Sequence, residues 1–147
     1  MNSKALGHDD SSGFNFVKEM LNGDPTAGIN FDRLQRHPQK GYIIFEWLLC
    51  EETQWVTPYT SHPRKYWNQN KRKFISLWNV AQALHATLYL VNYAKQGTAH
   101  QDEILVIEVL DLNKDGIVKE NVTKYTRSSF QNWFRQLNRE CLKNDIA

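Results

Sequence analysis

The stretch Gly41-Tyr-Ile-Ile-Phe-Glu-Trp-Leu-Leu-Cys50 constrains the chain most: it is a nearly continuous apolar run broken by one charge, Glu46. A run of this length rich in Ile, Leu and aromatic residues reads as a strand buried on both faces. An ionised carboxylate in such a strand is costly unless something pairs with it. A partner lies close by. Gly28-Ile-Asn-Phe-Asp-Arg-Leu34 reads as a short strand, and His37-Pro-Gln-Lys-Gly41 supplies the turn residues that join the two as a hairpin. A turn centred on Gln39 pairs His37 with Gly41 and, further out, Asp32 with Glu46, whereas a two-residue loop sets the two carboxylates diagonally. Like charges directly opposite are destabilising. Such a pair shares a proton, takes a basic side chain between its members, or holds a cation.

The rest of the chain reads as one domain over residues 14–147 behind a polar, disordered segment over 1–13. A helix from Phe14 to Leu21, bearing Glu19, stops at Asn22-Gly23-Asp24-Pro25. After the hairpin comes a connection of about twenty residues, a length that tends to be functional. From Lys71 the apolar positions Phe74, Leu77, Trp78, Ala81 and Leu84 follow a helical period. Ala86–Tyr93 then reads as a strand, so that strand, crossover helix and strand predict parallel pairing of 42–50 with 86–93. A strand over 103–111, a turn at Asn113-Lys-Asp-Gly116, and a helix over 127–143 with Thr126 as N-cap complete the chain. The fold class is α/β (α+β), a central mixed sheet flanked by helices in the order αββαββα.

Net charge is only +2, so any inference of nucleic-acid binding has to come from local clustering. No apolar run approaches the ~18 residues of a membrane span. With two isolated cysteines and no signal-like start, a reduced, cytoplasmic setting is expected. Asp111-Leu-Asn-Lys-Asp-Gly116 matches the first half of a calcium loop, but Val122 stands where the bidentate Glu belongs, leaving a turn. Ser61-His62 lacks a nucleophile elbow, and the histidines and cysteines lack zinc-ligand spacing.

The segment from His62 to Lys73, which runs into the crossover helix, carries Arg64, Lys65, Lys71, Arg72 and Lys73 without an acid, interleaved with Tyr66 and Trp67 and preceded by Tyr59. Cations neutralise phosphates and rings stack on bases. Cations at a helix N-terminus also oppose its dipole, a placement that a ligand would explain. Tyr59, His62, Arg64, Lys65, Trp67, Lys71, Arg72 and Lys73 are therefore candidate nucleic-acid contacts, against the plain alternative of a solvated loop and helix start.

A helix bearing Glu19, a hairpin carrying Asp32 and Glu46 on adjacent strands, a crossover helix and a further strand together resemble the PD-(D/E)XK, restriction-endonuclease-like nuclease core over roughly Phe14 to Tyr93. The resemblance implies an Mg²⁺- or Mn²⁺-dependent nuclease acting on DNA, with Asp32 and Glu46 as metal ligands and Glu19 as a possible third. Two carboxylates on adjacent strands can hold a hard cation and leave positions for a phosphate and a water. The family's lysine two residues after the Glu is replaced by Leu48; Lys71 or Lys73 from the crossover helix, or a Glu-x-Gln form at Glu52-Thr-Gln54, are the alternatives. The competing reading is a non-catalytic module on the same scaffold, binding nucleic acid or a protein of a nucleic-acid-processing machine. A cation of Arg33, Arg36 or a lysine bridged to Glu46 is the observation expected of that module.

Overall fold

The apolar run becomes β2 (Gly41–Leu49), second in a five-stranded sheet, in the computed structural model, which describes residues 11–143. It pairs antiparallel with β1 (Arg33–His37) and parallel with β3 (Thr87–Tyr93). Gly41, at φ 78°, closes the hairpin turn in a conformation that favours glycine. Between β2 and β3 the chain crosses over through a 3-10 turn (Pro63–Tyr66) and the helix α2 (Trp67–Leu84). The expected parallel pairing is present, with Glu46 beside Leu90 and Leu49 beside Tyr93. β4 (Ile104–Asn113) and β5 (Gly116–Tyr125) extend the sheet antiparallel in the order β1-β2-β3-β4-β5, and α3 (Arg127–Leu142) follows.

The fold is therefore α+β, with a mixed sheet and, among the described residues, three α-helices. The order is αβ₂αβ₃α rather than αββαββα, because β5 is a strand where the sequence showed only a turn. Gly116–Tyr125 is an edge strand in which none of the ten residues is buried, so it lacks the apolar run that marks an inner strand. Asn113-Lys-Asp-Gly116 is the turn of the β4–β5 hairpin, Asn113 Oδ1 accepting from the Asp115 N–H at 2.8 Å. The first helix, α1, spans Ser11–Leu21 and so includes residues expected to be disordered; residues 1–10 of that expectation lie outside the described residues. It buries none of its side chains, and Phe14, Phe16, Val17 and Met20 are exposed. α2 begins four residues before Lys71, at Trp67.

Alternation along β2 divides the core. Ile44 and Leu48 face α2 and pack with Phe74, Leu77, Ala81, Leu88 and Leu90. Ile43 and Phe45 face α3 and pack with Val91, Val106 and Leu137. Phe45 stacks on Trp47 and Tyr89 and meets Phe134 edge-on at 5.4 Å. Glu46 shares the parity of Ile44 and Leu48, so register alone sends its side chain to the α2 face.

Thr126 caps α3 as expected. Its hydroxyl accepts from the Ser129 N–H at 3.1 Å, and the Ser129 hydroxyl accepts from the Thr126 N–H at 2.9 Å. Thr126→Ala leaves one donor of the first turn unpaired and lowers stability by about 1 kcal/mol; urea unfolding of the two proteins measures it.

Candidate functional site

The β1–β2 register pairs Arg33 with Phe45 and His37 with Gly41. One step further out it sets Asp32, immediately before β1, opposite Glu46, the arrangement expected from a turn centred on Gln39. Asp32 is exposed, and its Oδ2 accepts a hydrogen bond from the Trp47 backbone N–H at 2.8 Å. Glu46 is 3% exposed. The neighbouring Asp32 carboxyl acts on it in the same direction as burial, disfavouring its ionised form. Lys73, one residue before the buried Phe74 of α2, brings Nζ to 3.2 Å from Glu46 Oε2. Asp32, Glu46 and Lys73 line one open cavity of about 490 Å³ together with Asn30, Arg72 and Ser76.

The electrostatics of this trio are unbalanced. Burial, with the Asp32 carboxyl acting in the same direction, pushes Glu46 up to about 7, and Lys73 only partly opposes the shift. A buried ion pair that satisfied its members would hold a glutamate below its ordinary value. Here Glu46 stays raised despite its cation, so Lys73 does not satisfy it in full.

The other expected site residues fall elsewhere. Glu19 is exposed on α1 and does not line the cavity, and no three His, Cys, Asp or Glu side chains among the described residues are grouped to hold a metal. Lys71 is exposed and lies outside the cavity wall, so Lys73 is the lysine of the site. Arg33 bonds to Gln35 and Asn138 and lies over the Phe134 ring on the α3 side, away from Glu46.

The aromatic part of the expected nucleic-acid surface is structural instead. Trp67 is buried, stacks on Phe74 with centroids 5.6 Å apart, and donates from Nε1 to the Lys114 carbonyl at 3.1 Å. His62 is buried against Glu120 at 2.7 Å and caps the 3-10 turn through Nδ1. Tyr59 donates its hydroxyl to the Tyr125 carbonyl at 2.8 Å, and Lys124 lies over its ring. These three residues fasten the crossover connection to the β4–β5 hairpin and are not free to stack on bases. Arg64, Lys65 and Arg72 remain exposed, and Arg72 reaches the carboxylate cavity.

A second, larger cavity of about 600 Å³ opens where β2 and β3 end. Trp47 and Lys73 line both cavities. The second cavity includes Asn92, absent from the sequence-derived candidates although its position, one polar residue between Val91 and Tyr93 in a buried strand, carries the same signal as Glu46.

Comparison of the chain with protein-family models, with curated proteins and with solved structures returns no match. Among the described residues, no helix is long and apolar enough to cross a membrane.

Proposed function

We propose that this protein is an Mg²⁺- or Mn²⁺-dependent phosphodiesterase that cleaves DNA, working on a restriction-endonuclease-like core in a cytoplasmic setting. The observation that supports it best is the placement of Asp32 opposite the buried Glu46 in a cavity open to solvent, with Glu46 raised in pKa even with Lys73 at 3.2 Å. Magnesium is commonly bound by one or two carboxylates together with waters and substrate phosphate oxygens, so the absence of a third acidic ligand is compatible with it. Asp32 and Glu46 would hold the ion. When bound, it would supply Lewis-acid charge and a water of lowered pKa. Lys73 and Arg72 present positive charge to the phosphate from the α2 wall of the same cavity, and burial of Glu46 strengthens each of these interactions.

Titration with MgCl₂ or MnCl₂ by calorimetry tests the reading. Wild type binds the ion, and Asp32→Asn and Glu46→Ala each weaken it by at least the ~10–100-fold typical of losing an outer-shell partner. Binding strengthens as pH rises through 7, because Glu46 must release its proton to become a ligand. Unchanged affinity in both variants removes the metal site.

The second reading, a non-catalytic module that binds nucleic acid or a protein partner, has one observation in its favour: a lysine, Lys73, is bridged to Glu46. That module would bind without divalent ions and would not cleave.

A further inference from the structure

The cavity at the ends of β2 and β3 has the features of a ligand site of its own. β2 and β3 are parallel, and the crevice beyond the carboxyl ends of parallel strands is where ligands of α/β sheets bind. Leu49 and Cys50 at the end of β2 line it, together with Val56, Ser61 and Tyr66 of the crossover connection. Asn92, fully buried, donates from Nδ2 to the carbonyls of Pro58 at 3.1 Å and Ser61 at 2.9 Å. Two carbonyl acceptors fix the amide orientation, because a flip would set oxygen against oxygen. Asn92 Oδ1 is consequently a lone buried acceptor, and it has no hydrogen-bond partner. Such a group costs about 1–3 kcal/mol unless a donor reaches it.

The rest of the wall has matching chemistry. Gln69 adds an amide that both donates and accepts, and Lys65 and Lys73 add positive charge. Gln54 keeps its Nε2 donor while Oε1 accepts from the Glu51 N–H at 2.9 Å, and Asn70 keeps its Oδ1 acceptor while Nδ2 donates to the Tyr66 carbonyl at 3.4 Å. Gln69 and Lys65 are exposed, and among the described residues their side chains make no hydrogen bond or ion pair. Burial pushes the Tyr66 phenol up to about 12, so in this wall it stays a neutral hydroxyl at physiological pH. A single water could serve Asn92 Oδ1, but it would leave most of a cavity of about 600 Å³ and the Gln69 amide unused.

We propose that this cavity is a nucleobase subsite. It takes the unstacked base of a nucleotide whose phosphate lies in the adjoining Asp32–Glu46 cavity, Lys73 and Trp47 being the shared wall. Amides that donate and accept suit the hydrogen-bonding edge of a base, and a base reaches such a pocket only from a single strand or by leaving the duplex stack. The position of the phosphate rests on the phosphodiesterase reading, and it narrows the substrate to single-stranded or locally unpaired nucleic acid.

The test is a titration, in EDTA, with the four common nucleoside 5′-monophosphates, ribose 5-phosphate and inorganic phosphate, followed by NMR or calorimetry. At least one nucleotide is expected to bind at least tenfold more tightly than ribose 5-phosphate. The Gln69→Ala/Asn70→Ala double variant, altered at one exposed and one half-buried position in the first turn of α2, should lose that tenfold while keeping its weak affinity for ribose 5-phosphate. Asn92→Leu, if it folds, should behave alike; the double variant keeps the test decisive if it does not. Ribose 5-phosphate or phosphate binding as tightly as every nucleotide, or a double variant with unchanged nucleotide affinity, overturns the subsite. Because EDTA excludes divalent ions, the two proposals fail separately. Nucleotide binding without any Mg²⁺ site upholds the subsite and removes the hydrolase, whereas an Mg²⁺ site without nucleotide preference removes the subsite alone.

Discussion

Glu46→Gln is expected to make the metal-free protein more stable at pH 8 relative to wild type than it is at pH 4.5, by about 3 kcal/mol. The folded-state pKa of Glu46 is about 7 against an ordinary value of 4.5, and the residue is 3% exposed. A carboxyl raised on folding binds its proton more tightly in the native state. Its proton-linked contribution is fully present below about pH 4.5 and is lost as pH rises through 7. Glutamine resembles the protonated form at every pH, so the variant does not undergo this loss. Urea unfolding of both proteins between pH 4.5 and 8 gives the difference directly. Parallel stability curves would mean that Glu46 has the same pKa folded as unfolded, the effect of its burial being offset in full by Lys73. The variant also separates stability from function. At 100 times its dissociation constant Mg²⁺ should stabilise wild type by about 2.7 kcal/mol at pH 8, and it should stabilise Glu46→Gln far less.

The same residue shows why the central part of this fold was legible in the sequence. A single charge in an apolar run has few ways to be accommodated, and a three-residue turn closed by Gly41 fixed the parity that set Asp32 opposite it. Periodicity likewise gave α2 and α3, and the short connection after α2 gave the parallel strand pair. What was not legible depended on contacts distant in sequence. Trp67, His62 and Tyr59 stand in a basic, aromatic segment that reads as a nucleic-acid surface. Each instead has its partner in the β4–β5 hairpin, at Lys114, Glu120 and Tyr125. Since β5 itself carries no buried run, no local signal pointed to the acceptors. Lys73 could be told from Lys71 only once the phase of α2 against the sheet was known, with Phe74, Leu77 and Ala81 inward and Lys73 beside them.

Lys73→Met is the substitution on which the two functional readings divide most sharply. Lys73 is the cation in contact with Glu46, and its charge lowers that carboxyl's pKa. Removing it therefore raises Glu46 above its present value of about 7 and moves the metal-binding pH range upward with it. Above that range no ammonium competes for the carboxylate, so affinity for Mg²⁺ is kept or tightened. Hydrolysis of DNA should nonetheless fall by about 10²–10³-fold, the usual loss when one preorganised charge at a reacting group is removed. Met retains most of the aliphatic stem beside the Phe74 ring, 5.8 Å from Nζ, so the effect is one of charge rather than packing. Metal binding preserved with turnover lost places Lys73 at the phosphate. On the non-catalytic reading there is no turnover to lose. For that module, nucleic-acid affinity measured without divalent ions would fall instead. On either reading Lys73→Met leaves Glu46 without its cation and lowers the stability of the metal-free protein at pH 8, by less than a fully buried pair would lose because Lys73 is partly exposed and Glu46 can take up a proton. Calorimetry with Mg²⁺, cleavage, and nucleic-acid binding without divalent ions on this one variant therefore give opposite patterns for an enzyme and for a binding module.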